Sequence, residues 1–199
     1  MARIGIGTAS WGEPYAGKQP PSMTEIDKIL DYARASGIDL IDTAPAYKLP
    51  EIDFTGFKVV QKTPYEGECY ALLQHDPDGE IPKHDRAGIS VYKPSQLMRV
   101  IDKIKIVQLP LNISNRVFLP YLPELRKRGI EIHARSVFLR GVLLYKWAIE
   151  DCLRFVLKQD VDYIIIGINR VEELEGILRD TSCNTGADEF DTVAGEGIT

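Results

Sequence analysis

The chain has 199 residues, 44% of them hydrophobic and 27% charged, with a formal net charge of -5. That length and balance suit one folded domain with a substantial core. They argue against nucleic acid as a partner, since no basic patch with interleaved aromatics occurs, and against a membrane span, since no run approaches ~18 apolar residues.

The opening MARIGIGTAS lacks the long apolar core of a signal peptide and reads as a first strand, ARIGIG, followed by a loop. Thr24 is the expected N-cap of a helix over Glu25 to Ala35, ended by Gly37. Three strand-like runs follow: IDLID, GFKVVQK and CYALLQH. AGISV is a fifth strand, and Pro94-Ser95 opens a helix to about Asp102. KIVQL is a sixth strand, with a helix over Arg116 to Arg128 ended by Gly129. IEIHARS is a seventh strand, followed by a helix over Glu150 to Lys158. VDYIIIG is the eighth, followed by a helix over Val171 to Leu178. Residues 179–199 are acidic, sparse in apolar residues, and read as a tail. Eight strands with helices between most of them predict one α/β domain over 1–178, a parallel (β/α)8 TIM barrel.

The barrel is expected to be reduced. A strand–helix–strand crossover needs at least ~10–12 residues, yet only residues 64–68 separate the third and fourth strands. LPEIDFT, between strands two and three, is also too short for a packed helix. DPDGEIPKHDR, between four and five, carries Pro77 and Pro82, which oppose a helix. The helices after strands 2, 3 and 4 are therefore expected to be missing. Alternation then turns Phe57, Val59, Gln61, Tyr70, Leu72 and Gln74 outward. Folded-back loops, the tail or a second subunit in a homo-oligomer is expected to cover that face.

Three of these runs end on reactive side chains. IDLIDTAPAY carries Asp42 and Tyr47, VVQK ends at Lys62 and LLQH ends at His75. In a parallel barrel the chemistry sits at the C-terminal strand ends, so the four gather at one rim. An ammonium beside a phenol stabilises its phenolate and is expected to lower its pKa from about 10. Asp42 can hold Lys62 in place, and His75 can orient a carbonyl oxygen. The set suits protonation of a carbonyl oxygen while hydride reaches the carbon. The protein has no hydride of its own, so a nicotinamide cofactor is implied. Cys69, Cys152 and Cys183 show no metal spacing, and neither His84 nor His133 has a ligand-like neighbour. Reduced thiols, a cytoplasmic location and no metal are expected.

Nearly the whole chain resembles the aldo-keto reductases. IGIGTASWG is similar to their opening strand, GIDLIDTAPAY to the Asp-and-Tyr segment, VVQKT to the lysine strand and LLQHDPD to the histidine strand. GISVYKPSQL, IVQLPLN, RSVFLRGVLL and IIIGINRVEELEGIL resemble the later cofactor-binding elements. GISVY and HARSVFLRG are worded most like a bacterial subgroup associated with surface-sugar biosynthesis. The resemblance implies carbonyl reduction with Tyr47 as general acid, tuned by Lys62 and Asp42, with His75 orienting the substrate. It implies a dinucleotide held by Gly7 and Thr8, by Ser90 and Gln108 at the carboxamide, and by Ser136, Val137, Phe138, Leu139 and Gly141 along the pyrophosphate. Gly167, Asn169 and Arg170 would lie near the adenosine phosphate, where helix-start amides favour anions. Trp11 and Tyr15 are candidates for the substrate wall or for anchoring the first loop.

The chain departs from the family pattern at Val91, where Asn often follows the serine, and at Glu173, Gly176 and Ile177 around the adenine. Glu173 would repel a 2'-phosphate unless Arg170 compensates. NADPH is the implied cofactor, with NADH the alternative. Two other readings stay open: a binding or scaffold protein that kept the site residues, and a sugar-modifying lyase or epimerase without net redox.

Overall fold

The computed structural model describes residues 2–76 and 78–182. Eight strands pair in parallel in sequence order: β1 Arg3–Gly7, β2 Leu40–Asp42, β3 Lys58–Lys62, β4 Ala71–Gln74, β5 Ala87–Ser90, β6 Ile106–Pro110, β7 Glu131–Arg135 and β8 Tyr163–Gly167. Pairing of β8 with β1 closes the barrel. The helices α1 Met23–Ala35, α2 Pro94–Val100, α3 Leu122–Lys127, α4 Ile149–Leu157 and α5 Val171–Ser182 follow β1, β5, β6, β7 and β8. Among the described residues no α-helix follows β2, β3 or β4, and only a 3-10 turn, Pro45–Tyr47, stands after β2. No helix among the described residues is long and apolar enough to cross a membrane.

Alternation along each strand divides the core in two. Ile4 and Ile6 of β1, Ile41 of β2, Val107 and Leu109 of β6, and Ile164 and Ile166 of β8 join the main core with Ile26, Ile29 and Ala33 of α1. Leu40, Val60, Ala71, Leu73, Ile106, Tyr163 and Ile165 form a second buried cluster that fills the barrel. Glycine makes room there: a Cβ on Gly88 would meet the Ile106 carbonyl oxygen at 2.3 Å and Leu73 Cδ2 at 2.6 Å.

The barrel floor is polar. Asp39 takes Lys58 Nζ at 2.7 Å, Arg3 Nη1 at 2.9 Å and the Tyr163 hydroxyl at 3.0 Å. Glu131 takes Arg86 Nη2 at 2.5 Å, the Tyr70 hydroxyl at 3.2 Å and His133 Nε2 at 2.7 Å. Burial alone would raise the pKa of both carboxyls. For Asp39, the Lys58 and Tyr163 hydrogen bonds and the Arg3 charge outweigh it. For Glu131, His133, Arg86 and Tyr70 outweigh it.

Loops supply part of the missing cover on the outer face. Leu49, Ile52, Phe54, Phe57 and Ile81 pack against the main core. Arg34 of α1 donates to the carbonyls of Asp53 and Thr55, both at 3.3 Å, and its guanidinium lies 5.0 Å from the Phe57 ring centre. The Gln74 amide donates to the Glu80 carbonyl at 2.6 Å and so draws the β4–β5 loop back.

Three boundaries differ from the sequence reading. Helix α1 is capped by Ser22, not Thr24: Ser22 is extended, with φ -67° and ψ 159°, and its side chain accepts the Glu25 N–H. The helix expected from Arg116 is a 3-10 turn, Leu119–Tyr121, leading into α3. Pro120 and Pro123 lack the N–H groups that a continuous α-helix needs. Helix α5 runs past Leu178 to Ser182, so the first four residues of the expected tail are helical. Residues 183–199, including Cys183, lie outside the described residues.

Stability should depend on the floor carboxylates. A depressed carboxyl pKa stabilises the fold above its unfolded value and loses that contribution as pH falls. Unfolding followed by circular dichroism should show stability held above the ordinary values of 3.8 for Asp39 and 4.5 for Glu131, and declining below them. In Glu131→Gln the decline should be smaller.

Candidate active site

β2, β3 and the turn after β2 bring three of the four strand-end residues into contact. Lys62 is the last residue of β3, and its Nζ lies 2.6 Å from Asp42 Oδ2 and 3.0 Å from the Tyr47 hydroxyl. The side chains of Lys62 and Asp42 are 3% and 7% exposed, so the pair is nearly dry. A second hydrogen bond fixes the other carboxylate oxygen: Gln108 Nε2 of β6 donates to Asp42 Oδ1 at 2.7 Å. Ser90 Oγ of β5 donates to Gln108 Oε1 at 3.3 Å. One chain of polar contacts thus runs from Tyr47 through Lys62, Asp42 and Gln108 to Ser90, across four strands.

The Tyr47 turn is clamped from outside. A Cβ on Gly12 would meet the Tyr47 carbonyl oxygen at 2.0 Å, so only glycine lets the first loop pass this close. Beside it, Lys48 Nζ pairs with Glu13 Oε1 at 2.8 Å. His75 follows β4 directly, and its N–H donates to Thr63 Oγ1 at 3.3 Å. That hydroxyl donates to Gln74 Oε1 at 2.6 Å, joining the ends of β3 and β4.

These contacts set the protonation states. For Lys62, burial works against the charge, but Asp42 and Tyr47 more than offset it and the pKa rises. For Tyr47, burial and the Asp42 charge raise the pKa, and Lys62 only partly opposes them. The depressed phenol expected from the sequence is therefore reversed: Tyr47 holds its proton more tightly than a free tyrosine. Burial, then the Lys62 and Arg135 charges, push the His75 pKa down, so the ring is neutral near pH 7. A neutral imidazole still offers one N–H to an oxygen.

Asp42, Tyr47, Lys62 and His75 line one cleft of about 460 Å³ at the C-terminal mouth of the barrel, with Ser90, Gln108, Gly7 and Gly167. No protein-family model matches the sequence, and no curated protein matches it either. Solved structures do share its architecture. A Pseudomonas aeruginosa protein assigned to the aldo-keto reductases superposes with a TM-score of 0.70 at 17% identity, covering 90% of this chain and 89% of that one. The holo form of a Bacillus halodurans aldo-keto reductase gives 0.68 at 16% identity, covering 90% and 86%. A glycerol dehydrogenase of Gluconobacter oxydans gives 0.63 at 16% identity, covering 97% and 95%.

The fold is that of the aldo-keto reductases.

Within this barrel, the residues implied for a dinucleotide divide into three groups. Gly7, Ser90, Gln108, Ser136, Val137, Phe138, Gly141, Gly167 and Asn169 line the cleft. Arg170 lies in an adjoining groove with Lys18, Glu25, Glu172 and Glu173. Thr8 and Leu139 line neither. Thr8 is fully buried, where its N–H and Oγ1 both donate to the Asp42 carbonyl, at 3.0 and 3.2 Å, and tie β1 to β2. Leu139 is 42% exposed, outside the cleft. The first-loop aromatics part company: Trp11 is 1% exposed and donates Nε1 to the Ile168 carbonyl at 2.6 Å, an anchor, whereas Tyr15 lines the cleft.

The 136–141 segment of this aldo-keto reductase fold is conformationally strained. Ser136, Leu139 and Arg140 have φ of 60°, 45° and 56°. Left-handed backbone costs about 1–2 kcal/mol per non-glycine residue, and such strain gathers at ligand sites. Sequence reasoning missed Arg135 and Tyr92, which also line the cleft. Alternation was the available signal for Arg135, which shares its strand face with Glu131 and His133.

The buried ion pair gives a test of site integrity. Asp42→Asn leaves the Lys62 ammonium buried without its counter-charge and should cost about 3–5 kcal/mol in urea unfolding. Adding Lys62→Met should recover most of that loss. No recovery would show that the pair is not the origin of the cost.

Proposed function

We propose that the chain is an aldo-keto reductase that reduces an aldehyde or ketone to an alcohol with a nicotinamide dinucleotide, Tyr47 donating the proton. The observation that carries this reading is the buried Tyr47–Lys62–Asp42 contact at the mouth of a barrel of this fold. A buried phenol that keeps its proton, beside a fixed ammonium and a neutral imidazole, is arranged to meet an oxygen acquiring negative charge.

The residues present fit the dinucleotide. Ser90 and Gln108 are satisfied by each other and by Asp42, yet Gln108 Oε1 and Ser90 Oγ keep lone pairs for a carboxamide. A Cβ at Gly141 would meet nothing within 4 Å, so the backbone there stands open to a ligand. When bound, the reduced dinucleotide supplies hydride to the carbonyl carbon. His75 donates a hydrogen bond to the carbonyl oxygen and fixes its direction. As negative charge grows on that oxygen, Tyr47 passes it the hydroxyl proton. Lys62 stabilises the resulting phenolate, which takes a proton back from solvent. Asp42 and Gln108 keep the Lys62 ammonium in place throughout.

The adenosine end bears on the choice of dinucleotide. Glu25 Oε1 accepts the Val171 N–H at 2.8 Å, and Glu173 Oε2 accepts the Asn169 N–H at 2.8 Å. Two amides at the start of α5, those of Asn169 and Val171, are thus held by the chain's own carboxylates. Lys18, not Arg170, pairs with Glu173, at 3.1 Å. This arrangement supports NADH over NADPH. It also favours the scaffold reading to the extent that neither dinucleotide displaces those carboxylates.

Two measurements test the proposal. Tyr47→Phe should abolish aldehyde reduction and leave dinucleotide affinity nearly unchanged; retained turnover would refute the assigned acid. Titration followed by nicotinamide fluorescence should show NADH binding more tightly than NADPH, with Glu173→Gln narrowing the gap. No binding of either would leave the scaffold reading in place of the reductase.

A further inference from the structure

The carboxylates and cations lining the cleft do not balance. Lys62 is neutralised by Asp42, and Lys18 by Glu173. Arg140 is an exposed side chain whose guanidinium lies 5.1 Å from the Tyr15 ring centre. Arg135, the last residue of β7, is different. It is half-buried in the cleft wall, and among the described residues no Asp or Glu pairs with it. Its guanidinium donates only to neutral acceptors: Nη2 to the Val91 carbonyl at 2.9 Å and Nη1 to Ser136 Oγ at 3.2 Å. The Tyr92 ring lies 4.4 Å below it. These contacts fix the plane of the group and use two of its five N–H donors.

Resting on the reductase reading above, we propose that the substrate carries a carboxylate, bound by Arg135 beside the Tyr47 hydroxyl. A desolvated cation without a counter-charge is costly, and a ligand anion recovers that cost. The planar fork with free donors matches a carboxylate. Arg135 lines the cleft that holds Tyr47 and His75, whereas Arg170 and Glu173 of the α5 end line the adjoining groove. Burial, then the Lys62 and Arg135 charges, lower the His75 pKa. Tyr15, Tyr47, His75 and Tyr92 line the same cleft as Arg135. These are the groups of the reacting end, not of the α5 end.

The test uses a pair of ligands that differ in one charge: 4-(hydroxymethyl)benzoate and its methyl ester, titrated calorimetrically into the full chain. The carboxylate should bind about tenfold or more tightly than the ester, as expected for charge-assisted hydrogen bonds. Arg135→Met should erase the difference, and Arg135→Lys should retain part of it. Circular dichroism of each variant establishes that it is folded. Equal binding of acid and ester to the wild type, or a preference that survives Arg135→Met, would overturn the proposal. So would a tenfold loss of NADH affinity in Arg135→Met, which would assign the guanidinium to the dinucleotide's phosphates. These readouts do not need turnover. Failure to reduce any aldehyde would strike the reductase reading alone, and loss of the carboxylate preference would strike this one alone.

Discussion

The buried Lys62–Asp42 pair is the constraint on which the rest of the site depends. Two charges taken out of water cost several kcal/mol each, and their attraction recovers that only with good geometry and satisfied hydrogen bonds. The barrel provides both. Asp42 gives one oxygen to Lys62 and the other to Gln108, while Lys62 reaches on to Tyr47. The pair comes from adjacent strands, β2 and β3, and Gln108 from across the barrel on β6. Displacing any of these strands would strand a charge in an apolar interior. The ion pair therefore fixes the barrel mouth as much as the barrel fixes the ion pair.

That coupling bears on how a barrel without helices behind β2, β3 and β4 keeps its strand ends in place. Helices usually brace such strands from outside. Here the bracing is made of polar contacts between ends. Thr63 joins β3 to the start of the segment carrying His75, Gln74 gathers the β4–β5 loop, and Arg34 holds residues 53–57 against α1. The first loop adds a clamp at Tyr47, where Gly12 packs against the backbone. Each contact is worth little alone, on the order of 1 kcal/mol. Together they restrain the three segments that carry Tyr47, Lys62 and His75.

Much of this was legible in the sequence because it depends on counting. Five residues between β3 and β4 cannot hold a helix, and the chain has none there. Polar residues closing apolar runs are strand ends, and Asp42, Lys62 and His75 stand there. What could not be counted was tertiary. The sequence places an ammonium near the Tyr47 phenol and so predicts a lowered pKa, but the burial that reverses the sign belongs to the folded barrel. Trp11 and Tyr15 look alike in a glycine-rich loop, and the Ile168 carbonyl, far along the chain, decides which of them is an anchor. Arg135 lies within the seventh strand run, IEIHARS, and only its shared face with His133 marks it as inward.

The two ends of the cleft divide their electrostatic work in opposite ways. At the α5 end the chain answers its own dipole: Glu25 and Glu173 take the amides that a phosphate would otherwise meet, and Lys18 neutralises Glu173. Burial would raise the Glu173 pKa, but the Asn169 amide and Lys18 hold it down, so the carboxylate stays charged there near neutral pH. At the Tyr47 end no Asp or Glu among the described residues pairs with the Arg135 guanidinium, which is held by a carbonyl, a hydroxyl and a ring. The lack of a carboxylate partner among the described residues is the observation from which we propose a negative charge brought by the ligand. Burial, then the Lys62 and Arg135 charges, keep His75 neutral and therefore able to donate to the carbonyl oxygen without competing with Tyr47 for the role of acid.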